Sequence, residues 1–96
     1  MAEIEIYTTM WCPFCIAAKR LLDKKGLAYN EIDVTMKFAA RREMTERAGG
    51  NRKVPQIFVD GEHLGDCEDI MEMEAGGELD ARLGLGGQGE QGEQGG

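Results

Sequence analysis

The sequence predicts an α/β domain built on a four-stranded mixed sheet with helices on both faces, in the order βαβαββα. Three observations carry this. Short β-rich runs alternate with segments whose apolar residues recur at helical spacing. Glycines close the helical segments, where a C-terminal cap is expected. Asp60-Gly61 separates two strand-like runs by a two-residue hairpin signal. The last two strands are therefore antiparallel, while the first two, joined through a helix, are parallel.

Each element follows in order. Residues 3–8 alternate and are β-rich, a first strand. From Pro13 to about Lys25, Cys15, Ala18 and Leu22 share one helical face with Leu21 beside them. Gly26 caps that helix. Leu27 to Val34, with Tyr29, Ile32 and Val34, reads as a second strand. Residues 36–48 form a second helix with Ala40, Met44 and Ala48 at four-residue steps, and with Glu43 and Arg47 as an i,i+4 charge pair. Gly49-Gly50-Asn51 stops it. Val54 to Val59 is the third strand and Glu62-His63-Leu64 its antiparallel return. Asp66 suits the N-cap of a third helix with Ile70, Met71 and Met73 among its apolar positions. Gly76-Gly77 breaks this helix, and residues 78–83 add a final turn with Leu79 and Leu83 facing the core. The six methionines read mostly as core filler on helices.

Residues 1–83 make one domain, and residues 84–96 read as a disordered Gly/Gln/Glu-rich tail with nothing to build a core. The net charge is −7, of which Glu90 and Glu93 supply two negative charges, leaving the domain at −5. That balance argues against nucleic acid and against an anionic membrane surface. The first residues lack the basic and apolar regions of a secretory leader, and no apolar run is long enough for a membrane helix. Three cysteines, an odd number, do not suit a secreted disulfide framework, so a reducing cytoplasm is expected.

The chemistry centres on Trp11-Cys12-Pro13-Phe14-Cys15-Ile16, between the first strand and the first helix. A Cys-x-x-Cys at such a junction is a redox signature. The first helical turn offers unpaired N–H groups and the positive end of the helix dipole, which favour a thiolate nucleophile at Cys12. Pro13 fits the first helical position, where a missing N–H costs nothing. Cys15 follows one turn later, in reach of a disulfide. Trp11 and Phe14 suit an apolar rim for protein substrates.

Taken together, Ile4-Glu5-Ile6-Tyr7-Thr8, Cys12-Pro13-Phe14-Cys15, the run from Val54-Pro55-Gln56 to Gly61 and the run from His63-Leu64-Gly65 to Asp69 resemble the glutaredoxin family, nearest its bacterial dithiol subgroup. The resemblance spans about residues 3–83. It implies a thioredoxin fold, glutathione as co-substrate, a cis Val54–Pro55 bond, and disulfide-bonded or glutathionylated proteins as partners of a monomer. In this chain Lys53 replaces the family's usual Thr, Asp66 its Gly, Thr9 its Lys and Phe14 its Tyr.

Glutathione carries two carboxylates and an ammonium. Arg52 and Lys53 are the candidate cations for its glycine carboxylate, with Arg42 a weaker one. The Val54 backbone beside Pro55 pairs with its cysteine by the family pattern. The N–H groups of Cys67 and Glu68 open a helix and suit the γ-glutamyl carboxylate, while Glu68 or Asp69 takes the ammonium. Cys12, Cys15, His63 and Cys67 formally compose a Cys₃His zinc set, but a hairpin His63 and a helix-opening Cys67 do not suit it, and no metal is expected. Cys67 reads instead as a small, partly buried residue capping the sheet, and His63 as a half-exposed strand residue. Two rival functions stand beside glutathione-dependent exchange. One is a hydrogen donor reduced by a flavin reductase. The other is an iron–sulfur cluster protein, which Pro13 and Cys15 disfavour.

Overall fold

A computed structural model of the chain describes residues 3–84. The tail expected from Gly84 onward falls outside it except for Gly84 itself. Eight elements are present: β1 (Ile4–Thr8), α1 (Pro13–Lys24), β2 (Asn30–Asp33), α2 (Phe38–Arg47), β3 (Gln56–Val59), β4 (Glu62–Asp66), α3 (Cys67–Ala75) and α4 (Leu79–Arg82). The sheet order is β2-β1-β3-β4. Among the described residues only the β1–β2 pair is parallel.

Alternation along the strands divides the core in two. Ile4, Ile6, Ile57, Val59 and Leu64 face α1, α3 and α4 through Ala18, Leu22, Ile70, Leu79 and Leu83. On the opposite face Tyr7 and Phe58 pack with Val34, Met44 and Ala48 from α2 and the segment leading to it. Helices therefore cover both faces, as the sequence predicts.

Helices α1, α2 and α3 stop in the same way. After α1, the Gly26 N–H donates to Asp23 O and the Leu27 N–H to Leu22 O, 2.9 and 3.1 Å apart. Gly49 and Gly77 occupy the equivalent left-handed position after α2 and α3. This shortens the expected second strand. Leu27 is still closing the helix, and β2, an edge strand, pairs only where β1 lies opposite it.

Other differences have equally local causes. Arg47 does not meet Glu43. Its guanidinium reaches across the sheet to Glu5 Oε1 at 2.9 Å and to the Tyr7 hydroxyl at 2.7 Å, and it lies 4.1 Å from the centre of the Phe58 ring. A bidentate tertiary contact beside an aromatic face outcompetes an exposed i,i+4 pair. Among the described methionines only Met44 is fully buried, with Met73 partly so. Met10 and Met36 lie in loops, and Met71 lies on the outer side of α3, next to the buried Ile70. Strand β4 runs two residues beyond its expected end at Leu64, carrying the chain directly into α3. A bulge accommodates Leu64 between the Ile57–Gly65 and Phe58–His63 pairs.

Candidate active site

The site gathers at the ends of three segments: the loop from β1 into α1, the approach to β3, and the junction of β4 with α3. Thr9 to Cys12 leave the sheet in an irregular loop in which Trp11 takes a left-handed backbone, φ 58°, with its side chain 89% exposed. Thr35 holds this loop from below, its hydroxyl accepting the Met10 N–H at 2.8 Å. Cys12 is the N-cap of α1 and Pro13 its first helical residue. The Cys12 sulfur accepts the Cys15 N–H at 3.2 Å and lies 3.9 Å from the Val54 carbonyl.

All three cysteines are thiols. Cys12 is partly exposed, while Cys15 lies behind it at 2% exposure. Burial, reinforced by the contact with Cys12, pushes the Cys15 thiol up to about 12. The pair is thus asymmetric: an accessible sulfur at a helix N-terminus, and a covered one held neutral. Cys67 is also buried, and burial followed by the nearby Asp66 charge raises its thiol.

The Val54–Pro55 bond is cis, as the resemblance implies. Val54 forms one wall of a cleft of about 110 Å³, together with Phe14, Lys53, Asp66, Cys67 and Glu68. Of the residues expected to bind, Lys53, Val54, Cys67 and Glu68 line this cleft, and Pro55 is buried next to it. Arg52 is not brought there. Its carbonyl accepts Arg41 Nη2 at 3.0 Å, and it borders a second hollow with Phe38, Arg41, Arg42 and Thr45. Neighbouring residues of an extended segment project to opposite sides, so Lys53 in the cleft leaves Arg52 facing α2. Arg42 lies at the same second hollow. His63 is half-buried, and its Nε2 meets Gln56 Oε1 at 2.6 Å.

Two polar supports were not foreseen as parts of the site. Gln56 is fully buried, and its Nε2 donates to the Lys53 carbonyl at 2.9 Å, fixing the approach to Val54. A glutamine inside the apolar run Val54–Val59 is the signal that marks it. Asn51, read as a helix stop, accepts the Lys53 N–H on its Oδ1 and donates from Nδ2 to Asp66 Oδ2 at 3.2 Å. Asp66 caps α3 as expected, in a reciprocal capping box with Asp69. It also enters the cleft, with Oδ2 3.6 Å from Lys53 Nζ. Burial works to raise the Asp66 carboxyl, but the Asp69 N–H, Asn51 and Lys53 together hold it below its ordinary value.

A Cys-x-x-Cys at the N-terminus of the first helix, beside a cis-proline loop at one end of a four-stranded mixed sheet, defines a thiol–disulfide oxidoreductase of thioredoxin fold. The chain belongs to the glutaredoxin family, whose family model, described as "Glutaredoxin", matches residues 4–64. It is 45% identical over 83 residues to "Glutaredoxin 3" of Escherichia coli K12, covering 86% of this chain and 99% of that one. Among solved structures it resembles the glutaredoxin of Brucella melitensis, with TM-score 0.77, 44% identity, and 90% and 92% of the two chains covered. A buckwheat glutaredoxin–glutathione complex matches with TM-score 0.77 at 27% identity, covering 85% of this chain and 76% of that one. Among the described residues, no helix is long and apolar enough to cross a membrane.

Proposed function

We propose that the chain uses glutathione to reduce protein–glutathione mixed disulfides and protein disulfides through Cys12-Pro13-Phe14-Cys15. The observation that carries this reading is the cleft itself. It runs from Phe14 past the Val54 backbone, 3.9 Å from the Cys12 sulfur, to the first turn of α3. Lys53 at one side supplies a cation, and the first-turn N–H groups of Cys67 and Glu68 supply anion-binding donors. A tripeptide thiol with a carboxylate at each end fits that polarity. The glutathione bound to the buckwheat relative lends further support.

In the proposed reaction the Cys12 thiolate attacks the glutathione sulfur of a mixed disulfide. The protein sulfur leaves and takes up a proton. Cys12 now carries glutathione in a disulfide, and the thiolate of a second glutathione attacks the glutathione sulfur of that bond. Oxidised glutathione departs and Cys12 returns as thiolate. With a protein disulfide, Cys12 forms the mixed disulfide and Cys15 resolves it, its proton passing to the leaving protein thiolate. Two glutathiones then reduce the Cys12–Cys15 disulfide. Burial keeps Cys15 a neutral thiol in the reduced protein, which leaves the first attack to Cys12, and its backbone N–H 3.2 Å from the Cys12 sulfur places it one turn away to resolve the bond that Cys12 forms.

We read the protein as a monomer of the cytoplasm, in keeping with the family resemblance and the odd number of cysteines. The decisive assay is turnover of a small glutathione mixed disulfide, with glutathione and its reductase in one arm and thioredoxin reductase alone in the other. Turnover only in the first arm is expected. Turnover only in the second makes the chain a hydrogen donor instead and rejects the glutathione reading.

A further inference from the structure

The cleft holds a carboxylate beyond Glu68 and Asp69, the two expected to meet the ligand's ammonium. Asp66 presents a carboxylate to the same Lys53 that would receive a ligand carboxylate, and its side chain is only 10% exposed. Three contacts fix its position. Oδ1 accepts the Asp69 N–H at 3.1 Å, while Oδ2 accepts Asn51 Nδ2 at 3.2 Å and lies 3.6 Å from Lys53 Nζ. Lys53, by contrast, is 69% exposed and free to swing. The anion is rigid and the cation mobile, so the pair behaves as a fixed internal carboxylate with a lysine resting against it.

We propose that Asp66 is a specificity-determining residue of the cleft, an internal competitor that a ligand carboxylate must displace from Lys53. This rests on the glutathione reading above. Two consequences follow from the geometry. A ligand carboxylate entering beside Lys53 meets the Asp66 charge at close range, and that charge cannot rotate away because Asn51 and the Asp69 N–H hold it. A ligand whose carboxylate is neutralised meets no such opposition. Asp66 therefore lowers the affinity for the free acid and narrows the margin by which the site prefers it over its amide.

The test uses Asp66→Asn, which keeps the cap on the Asp69 N–H and removes the charge, at the cost of the bond that Oδ2 accepts from Asn51 Nδ2. Asp66→Ser, also a capping residue, is the second variant should the first fold poorly, and thermal unfolding checks both. For the glutathione mixed disulfide, Asp66→Asn is expected to lower KM by about two- to five-fold, the scale of a solvent-exposed ion pair, with the change in KM rather than in kcat. The gain is expected to be smaller for the same disulfide with its glycine carboxylate amidated. On a Lys53→Met background the Asp66→Asn effect is expected to shrink, because the competition for the lysine is gone and only the direct repulsion remains. An unchanged or raised KM in Asp66→Asn overturns the proposal, as does an equal gain with the amide or a gain that is undiminished without Lys53. Failure of the unsubstituted protein to turn over glutathione mixed disulfides overturns the functional reading and this inference together. Normal turnover with an unresponsive Asp66 overturns the inference alone.

Discussion

Cys12 and Cys15 are one helical turn apart yet meet different surroundings. Cys12 sits where α1 begins and solvent reaches it, and Cys15 packs beneath at 2% exposure. This division of roles predicts a division of effects. Cys12→Ser is expected to abolish every disulfide-reducing activity, since no other sulfur is both accessible and seated at a helix N-terminus among the described residues. Cys15→Ser is expected to keep reduction of glutathione mixed disulfides and to lose reduction of protein disulfides. Parallel assays on the two substrate types decide it, and activity retained by Cys12→Ser rejects Cys12 as nucleophile. At this scale the sequence is informative where function depends on spacing. Cys12 and Cys15 lie at the start of α1, and Lys53 and Val54 line the cleft, the side of the molecule their sequence positions suggest. It is silent on direction, because adjacent residues such as Arg52 and Lys53 look alike until the backbone turns them apart. Asn51 and Gln56 escaped notice for a related reason: their work is hydrogen bonding to a loop, which no pattern of residue types encodes.

The junction of β4 and α3 is the element on which the cleft depends. Gly65 adopts φ +146°, and a Cβ there would stand 2.5 Å from the Asp69 side chain. Asp69 cannot simply move, because its Oδ2 accepts the Asp66 N–H at 3.0 Å in the capping box. Gly65→Ala is therefore expected to destabilise the fold by about 1–3 kcal/mol and to weaken ligand binding, through displacement of Asp66 and the first turn of α3. Urea unfolding measures the first effect and KM the second. A variant of unchanged stability refutes the close approach. Elements with strong local signals were legible in the sequence. Glycine caps, the Asp60-Gly61 turn and the Asp66 cap fall at their expected positions. Element lengths were less so, because β2 ends where its only neighbour ends and β4 continues until α3 takes its backbone. The Glu43–Arg47 pairing failed because Arg47 found partners on β1, a tertiary choice invisible along the helix.

Across the whole molecule, acidic groups set the response to pH. Lys19 and then Thr8 hold the Glu31 carboxyl below its ordinary 4.5, while Asp66 lies below its ordinary 3.8 despite burial. A carboxylate with a lowered value in the folded state binds fewer protons there than in the unfolded chain. Its stabilising contribution is complete above the ordinary value and is lost as pH falls through the folded one. Stability is therefore expected to decline as pH drops below about 4.5, and Glu31→Gln is expected to flatten the upper part of that decline. Urea midpoints from pH 7 downward test this, and a midpoint that rises on acidification contradicts it. The last residue of the larger core cluster is Leu83, at 1% exposure. We propose that the folding unit ends there. Removal of residues 85–96 is then expected to leave the melting temperature and glutathione-dependent turnover unchanged, and a marked loss of either places the boundary further on.

Trp11 has an optical consequence. It is the sole tryptophan of the chain, stands one residue before Cys12 and projects almost entirely into water. An indole so placed emits to the red and shifts when its hydration changes. Under the proposed function, docking of a partner over Phe14 or attachment of glutathione to the Cys12 sulfur is therefore expected to shift the intrinsic fluorescence of the protein. Under the proposed function, steps that change the surroundings of Trp11 are expected to register in stopped-flow fluorescence without a label.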